Sequence, residues 1–128
     1  YLNKARAGAY SRSSLKEVPE ALQDIYFRRG RKGKKWAIVE EMKRGITWDT
    51  HNLLSDPCAR QFQLVFLRNN LLTYYKNEVQ APAFQKVIDS LVSGGFLVIG
   101  THEKIPADVS GLVHFPEHPC IFQKKVLV

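Results

Sequence analysis

The chain has 128 residues, 45% of them apolar and 24% charged, and carries a net charge of +7. This suffices for one small domain with a modest core and excludes disorder throughout. No run of about 18 apolar residues is present, so no membrane span is expected.

The two cysteines, Cys58 and Cys120, are far apart and lack metal-type spacing. A reducing, cytoplasmic compartment is therefore the default, and no secretory signal is visible. None of the four histidines shows ligand spacing, so a metal is not expected. Much of the positive charge lies in one run, RRGRKGKK at 28–35. Such a run attracts nucleic acid or acidic partners in some proteins. A solvated loop is the preferred reading here.

Residues 1–7 (YLNKARA) read as the tail of a helix stopped by Gly8, which suggests a fragment. Ser14 and Glu17 have the spacing of a capping box. Pro19 then opens a helical stretch, EALQDIYF, with Ala21, Leu22, Ile25 and Tyr26 on one face. Gly30 and Gly33 mark the basic run as a turn between elements. Residues 36–39 and 46–49 read as strands, separated by a short polar segment ending at Gly45. Ser55, Asp56 and Pro57 signal a turn.

The organising unit follows at 62–103. Residues 62–67 form an apolar run of strand length. Residues 81–92 have helical spacing, with Phe84, Val87, Ile88, Leu91 and Val92 along one face, Pro82 in the first turn and Gly94-Gly95 as the stop. Residues 96–99 read as a second buried strand. Two apolar strands joined by an amphipathic helix make a βαβ unit with parallel strands. Ligands sit beyond the carboxyl ends of such strands, here Arg68-Asn69-Asn70 and Thr101-His102-Glu103. After Glu103 the pattern loosens, and 119–125 read as a last edge strand, with 126–128 as its end.

These residues carry a resemblance. Phe66-Leu67-Arg68-Asn69, then Leu72-Thr73-Tyr74-Tyr75, then the stretch LVSGGFLVIGTHE at 91–103, resemble the CheR-type methyltransferases. Those enzymes use S-adenosylmethionine to methylate glutamate side chains of bacterial chemoreceptors. Upstream, Lys4-Ala5-Arg6-Ala7-Gly8-Ala9-Tyr10, Tyr26-Phe27, the strands at 36–39 and 46–48, and Asn52-Leu53-Leu54 match the family pattern in order. The match covers most of the chain. Departures are Leu67 for the usual Cys, one extra residue between Arg68-Asn69 and Tyr74-Tyr75, Tyr75 for the usual Phe, and Ser93 for the Pro before the two glycines. They point to a divergent branch.

The resemblance implies an α/β fold: a Rossmann-like class I methyltransferase sheet with a small β-rich insertion. Residues 1–128 would supply its C-terminal portion, and 27–48 the insertion with its basic loop. The glycine turn for the cofactor would lie upstream, since no Gly-x-Gly opening a helix is present. Asn52 and Leu53 resemble adenine contacts, an amide on the base edge and an apolar face against it. Asn52 also reads as an Asx-type turn residue. Arg68 and Asn69 resemble cofactor contacts at a strand end; a surface ion pair and a helix cap are the plainer readings. Tyr74 resembles the tyrosine near the transferring methyl group, and equally reads as a buried residue packing the next helix. Tyr75 reads as core, Glu103 as a residue bonding loop backbone, and His102 as exposed.

The resemblance thus implies an S-adenosylmethionine-dependent methyltransferase acting on a protein glutamate carboxylate, with S-adenosylhomocysteine as product. Its partners would be a protein substrate and the upstream part of the same domain. The alternatives are a non-catalytic interaction module built on a methyltransferase domain, and a nucleic-acid methyltransferase. Charge alone favours the last, because no aromatic residues interleave with the basic run.

Overall fold

A computed structural model describes residues 1–30 and 33–126. Two compact units divide the chain, Tyr1–Thr50 and His51–Val128. Arg31 and Lys32 of the basic run lie outside the described residues.

The first unit opens with helix α1 (Leu2–Ala7). Gly8 ends it as expected, at φ +58°, a left-handed conformation that glycine adopts without steric cost. Strand β1 (Ala9–Tyr10) follows and was not legible at two residues. Ser14 and Glu17 form no capping box. Ser11 caps a short 3-10 turn (Arg12–Leu15) by accepting from the Ser14 N–H at 3.2 Å. Glu17 instead pairs with Lys16 on the surface. Helix α2 (Glu20–Tyr26) starts after Pro19. Strands β2 (Phe27–Arg29) and β3 (Trp36–Ile38) complete an antiparallel sheet in the order β1-β3-β2. Helix α3 (Glu40–Lys43) covers the polar segment. The strand expected at 46–49 is absent; those residues pair with no strand. β-Branched and aromatic residues fit a strand only where a neighbour offers a free edge.

The second unit carries the βαβ unit. Strand β4 (Phe62–Leu67) and strand β5 (Leu91–Ile99) run parallel, as expected. Between them lie α4 (Leu71–Tyr74) and α5 (Asn77–Asp89). Helix α5 begins four residues before the expected start. Pro82 therefore sits beyond the first turn, where it forgoes only the bond to the Glu78 carbonyl. Leu91 and Val92 continue the helical spacing but belong to β5. Leu91 pairs with Phe62 and is fully buried. Gly94 and Gly95 do not stop the helix; they lie inside β5, where the register against β4 shifts. A Cβ on Gly95 would stand 3.0 Å from the Val92 carbonyl and 3.2 Å from those of Phe62 and Gln63, so a side chain there would push the backbones apart. The stop is polar. The Ser90 hydroxyl donates to the Val87 carbonyl at 2.7 Å, and Lys124 Nζ donates to the Asp89 and Leu91 carbonyls.

Strands β6 (Leu112–His114) and β7 (Ile121–Lys124) extend the sheet antiparallel, in the order β4-β5-β7-β6. β7 is thus internal and not an edge; the edge on this side is β6, too short to be read from its pattern. Leu127 and Val128, expected as the strand's end, lie outside the described residues. The core gathers Leu67, Leu71, Phe84, Val87, Ile88, Leu91, Leu97 and Ile99, so α5 packs its apolar face on β5 and the end of β4. This is a mixed α/β fold, as expected.

Candidate functional site

Two loops meet beyond the carboxyl end of β4. The first is the turn Asn52 to Asp56. The Leu54 N–H donates to Asn52 Oδ1 at 3.0 Å, and the Asn52 N–H donates to Asp56 Oδ2 at 2.8 Å. Asn52 is therefore an Asx-turn residue, the plainer of its two sequence readings. Its amide nitrogen makes no hydrogen bond among the described residues. Lys86 Nζ on α5 donates to the Leu54 carbonyl at 2.9 Å and holds the turn against the helix. The Asn52 N–H and the Ser55 hydroxyl hold the Asp56 carboxyl below its ordinary range, helped by His51 and Lys86.

The second loop runs from Arg68 to Tyr75. Asn69 adopts φ +50°, a left-handed conformation that asparagine tolerates better than most residues. It is not the helix cap; Asn70 occupies that position, without a side-chain bond. Gln80, buried on α5, donates to the Leu72 carbonyl at 3.3 Å and also to the Tyr75 carbonyl. At the other end Glu103 accepts from the Thr73 hydroxyl and the Gly100 N–H, both at 2.7 Å. Sequence reasoning anticipated the backbone bonding of Glu103 but missed Gln80 and Lys86. The signal for Gln80 was a polar side chain on the inner face of an amphipathic helix; Lys86, half-buried and off that face, offered none.

The loops enclose an open cleft with about 110 Å³ of water-accessible space. His51, Asn52, Leu53 and Leu54 line it from the turn, and Asn70, Leu71 and Tyr75 from the second loop. Asn52 and Leu53 are thus brought together. Arg68, Asn69 and Tyr74 stand in the adjoining loop and do not line the cleft. Arg68 and Asn69 are exposed, and Arg68 makes no ion pair among the described residues. Tyr74 is 75% exposed, so it is not the buried packing residue of its plainer reading. Tyr75, expected in the core, is 42% exposed and lines the cleft, because α4 ends at Tyr74 and an extended Tyr75 leaves the helix face. His102 is exposed, as expected. The cleft thus offers polar groups of His51, Asn52 and Asn70 beside leucine side chains and the Tyr75 ring.

A cleft beyond the carboxyl end of a parallel strand pair defines an α/β ligand-binding domain. The family model described as "CheR methyltransferase, SAM binding domain" matches residues 1–119, and the chain belongs to the CheR methyltransferase family. It is 36% identical over 109 residues to a chemotaxis protein methyltransferase of Listeria innocua, and 34% identical to that of Listeria monocytogenes, each alignment covering 84% of this chain. It is 32% identical to a probable chemotaxis protein methyltransferase of Rhizobium etli, over 81% of this chain. In each case the match covers 40% of the relative's own length. Among the described residues no helix is long and apolar enough to cross a membrane.

Proposed function

We propose that this chain forms part of an S-adenosylmethionine-dependent methyltransferase that methylates a carboxylate oxygen of a protein glutamate, in the cytoplasm. The observation that carries the reading is the cleft shared by the Asn52–Leu53 turn and the loop after β4, in a chain whose family binds S-adenosylmethionine. The names of the relatives support a protein substrate.

In this reading Asn52 presents its amide nitrogen to the adenine edge, and Leu53 covers one face of the base. Arg68 and Asn69 contact the methionine portion from the strand end. Tyr74, already exposed, positions the acceptor. The bound cofactor supplies an electrophilic methyl group on a sulfonium, which is an intrinsically good leaving group. A glutamate acceptor is already ionised at neutral pH, so no general base is needed. Tyr74, Arg68 and Asn69 would hold the acceptor oxygen in line with that methyl group, and the sulfur would keep the electron pair as the methyl is transferred. The protein's share is alignment and exclusion of water. The upstream part of the same domain packs on the open face of β4, where Phe62, Leu64 and Phe66 are 38%, 50% and 66% exposed.

Calorimetric titration of the full-length protein with S-adenosylhomocysteine tests the reading. Saturable binding is expected, weakened at least about tenfold by Asn69→Ala, the scale of a lost hydrogen bond to a charged ligand group. Tyr74→Ala is expected to bind normally and to lose methyl transfer. Absence of binding would reject the enzyme and leave an interaction module.

A further inference from the structure

Glu103 lies just past β5, yet its carboxylate reaches the loop that follows β4. Oε1 accepts from the Thr73 hydroxyl at 2.7 Å and Oε2 from the Gly100 N–H at 2.7 Å. The backbone N–H groups of Asn69 and Asn70 act on it electrostatically and favour its charge. One side chain thus bonds the loop after β4 and the end of β5 at once. Gly100 is shaped for it: a Cβ there would stand 2.7 Å from Glu103 Oε2 and 3.4 Å from Asn69 Oδ1. Asn69 meanwhile holds φ +50°, a conformation a free loop would populate only in part. Arg68 at the loop's start and Tyr74 at its end bracket Asn69, Asn70 and Thr73, the last bonded by Glu103.

We propose that Glu103 is a positioning residue for cofactor binding: its carboxylate buckles the ends of β4 and β5 together and presets the loop that carries Arg68, Asn69 and Tyr74. This rests on the reading of that loop as the cofactor-contacting loop. The physical case is preorganisation. Two charge-assisted hydrogen bonds, with the Asn69 and Asn70 N–H dipoles beside them, settle the loop before the ligand arrives, so binding does not have to order it. A carboxylate suits the task because it is acceptor-only on both oxygens and both partners can donate. Burial alone would raise its pKa. The Thr73 hydroxyl and the three N–H groups together outweigh that and hold the carboxyl below its ordinary range, so it stays ionised where the loop must be ordered.

The test uses the full-length protein and two readouts: amide hydrogen exchange at Asn69, Asn70 and Gly100, and affinity for S-adenosylhomocysteine. Glu103→Ala is expected to lose protection at the three amides and to bind at least about tenfold more weakly. Glu103→Gln is the rescue. Its amide oxygen can serve the N–H donors, and its amide nitrogen can donate to the Thr73 hydroxyl. It is expected to bind within about threefold of the parent, less than one hydrogen bond's worth. Adding Thr73→Val to Glu103→Gln strands that nitrogen and brings the weak binding back. Val87→Ala, a core change away from the loop, lowers the melting temperature without changing affinity. Glu103→Ala binding as tightly as the parent, or exchange unchanged at the three amides, would overturn the proposal. An equal loss of affinity in Val87→Ala would overturn it too, as mere destabilisation. A parent protein that fails to bind, with its amides still protected, would refute the reading of the site and the positioning role with it, while leaving the buckle itself in place.

Discussion

The two units hold themselves together by different means. In the second, nine apolar residues from Leu67 to Ile99 are buried around α5 and β5. In the first, Leu15 is the buried hydrophobic residue among those described, and Leu22, Ile25, Met42 and Ile46 are 42–55% exposed. Its order comes from backbone and polar links instead. The Ile38 N–H donates to the Gly8 carbonyl, and the Val39 N–H to the Tyr26 carbonyl. Gln23 ties down the Leu15 and Val18 carbonyls, and Arg28 those of Asp24, Ile25 and Phe27. A net hydrogen bond contributes about 1 kcal/mol, whereas a fully buried large side chain contributes about 1.5–3. The second unit therefore carries the stability, and it is also the unit that carries the cleft.

The sharpest way to break the contrast is to empty the second core. Phe84 is fully buried, and Phe84→Ala is expected to cost about 3–5 kcal/mol; Leu15→Ala in the first unit should cost about 2. Both tryptophans, Trp36 and Trp48, lie in the first unit. In urea, tryptophan fluorescence should change before far-ultraviolet circular dichroism is lost. Coincident transitions would mean one cooperative structure and no real difference between the units. Within the first unit, the tightest point is Gly8. A Cβ there would stand 2.6 Å from Ile38 Cγ2, on a backbone at φ +58°. Gly8→Ala is expected to cost about 1–3 kcal/mol and to speed exchange of the Ile38 amide, leaving β5 protected.

Much of the second unit was legible because its signals are local and periodic. Phe84, Val87 and Ile88 recur at helical spacing and are buried as that spacing implies. The same periodicity misled at Leu91 and Val92. Spacing runs on past a helix end, and pairing with Phe62 is a distant partner's decision. β1 and β6, at two and three residues, are too short to show a period. At the cleft, the Asx turn at Asn52 could be read from residue type. Tyr75 could not, since its exposure depends on where α4 stops. Gln80 was hidden on an inner face marked by its apolar members, and Lys86 among the ordinary polar residues of the same helix.

Acid should probe the second unit. Glu103 and Asp56, both in it, are held below the ordinary carboxylate range. For Glu103, burial opposes this and the hydrogen bonds win. A carboxyl with a lowered folded pKa stabilises fully above its unfolded value, near 4.5, and that contribution is lost as the pH falls through the folded value. Urea midpoints should therefore be flat from pH 7 to about 5 and fall below about 4.5, near the ordinary carboxylate pKa. Glu103→Gln should flatten part of that fall. An unchanged acid limb in the variant would mean the buckle adds nothing to the contrast.

The contrast recurs on a smaller scale inside the second unit, between its two parallel strands. β5 has neighbours on both sides, and Leu91, Leu97 and Ile99 are buried. β4 has β5 alone, and alternate residues Phe62, Leu64 and Phe66 leave one face open. Phe66 is 66% exposed, so Phe66→Ser in this chain by itself should shift stability by no more than about 0.5 kcal/mol. The same substitution in the full-length protein separates two situations. If another part of the domain covers this face, the ring is buried there and its loss should cost about 3 kcal/mol, as core aromatic truncations do. If the face stays open, the cost should match that of the short chain. Paired urea midpoints, short chain against long, decide whether this face of β4 is covered in the working protein. A covered face would fix the strand beneath Arg68 and Asn69, which a site dependent on a fixed loop requires.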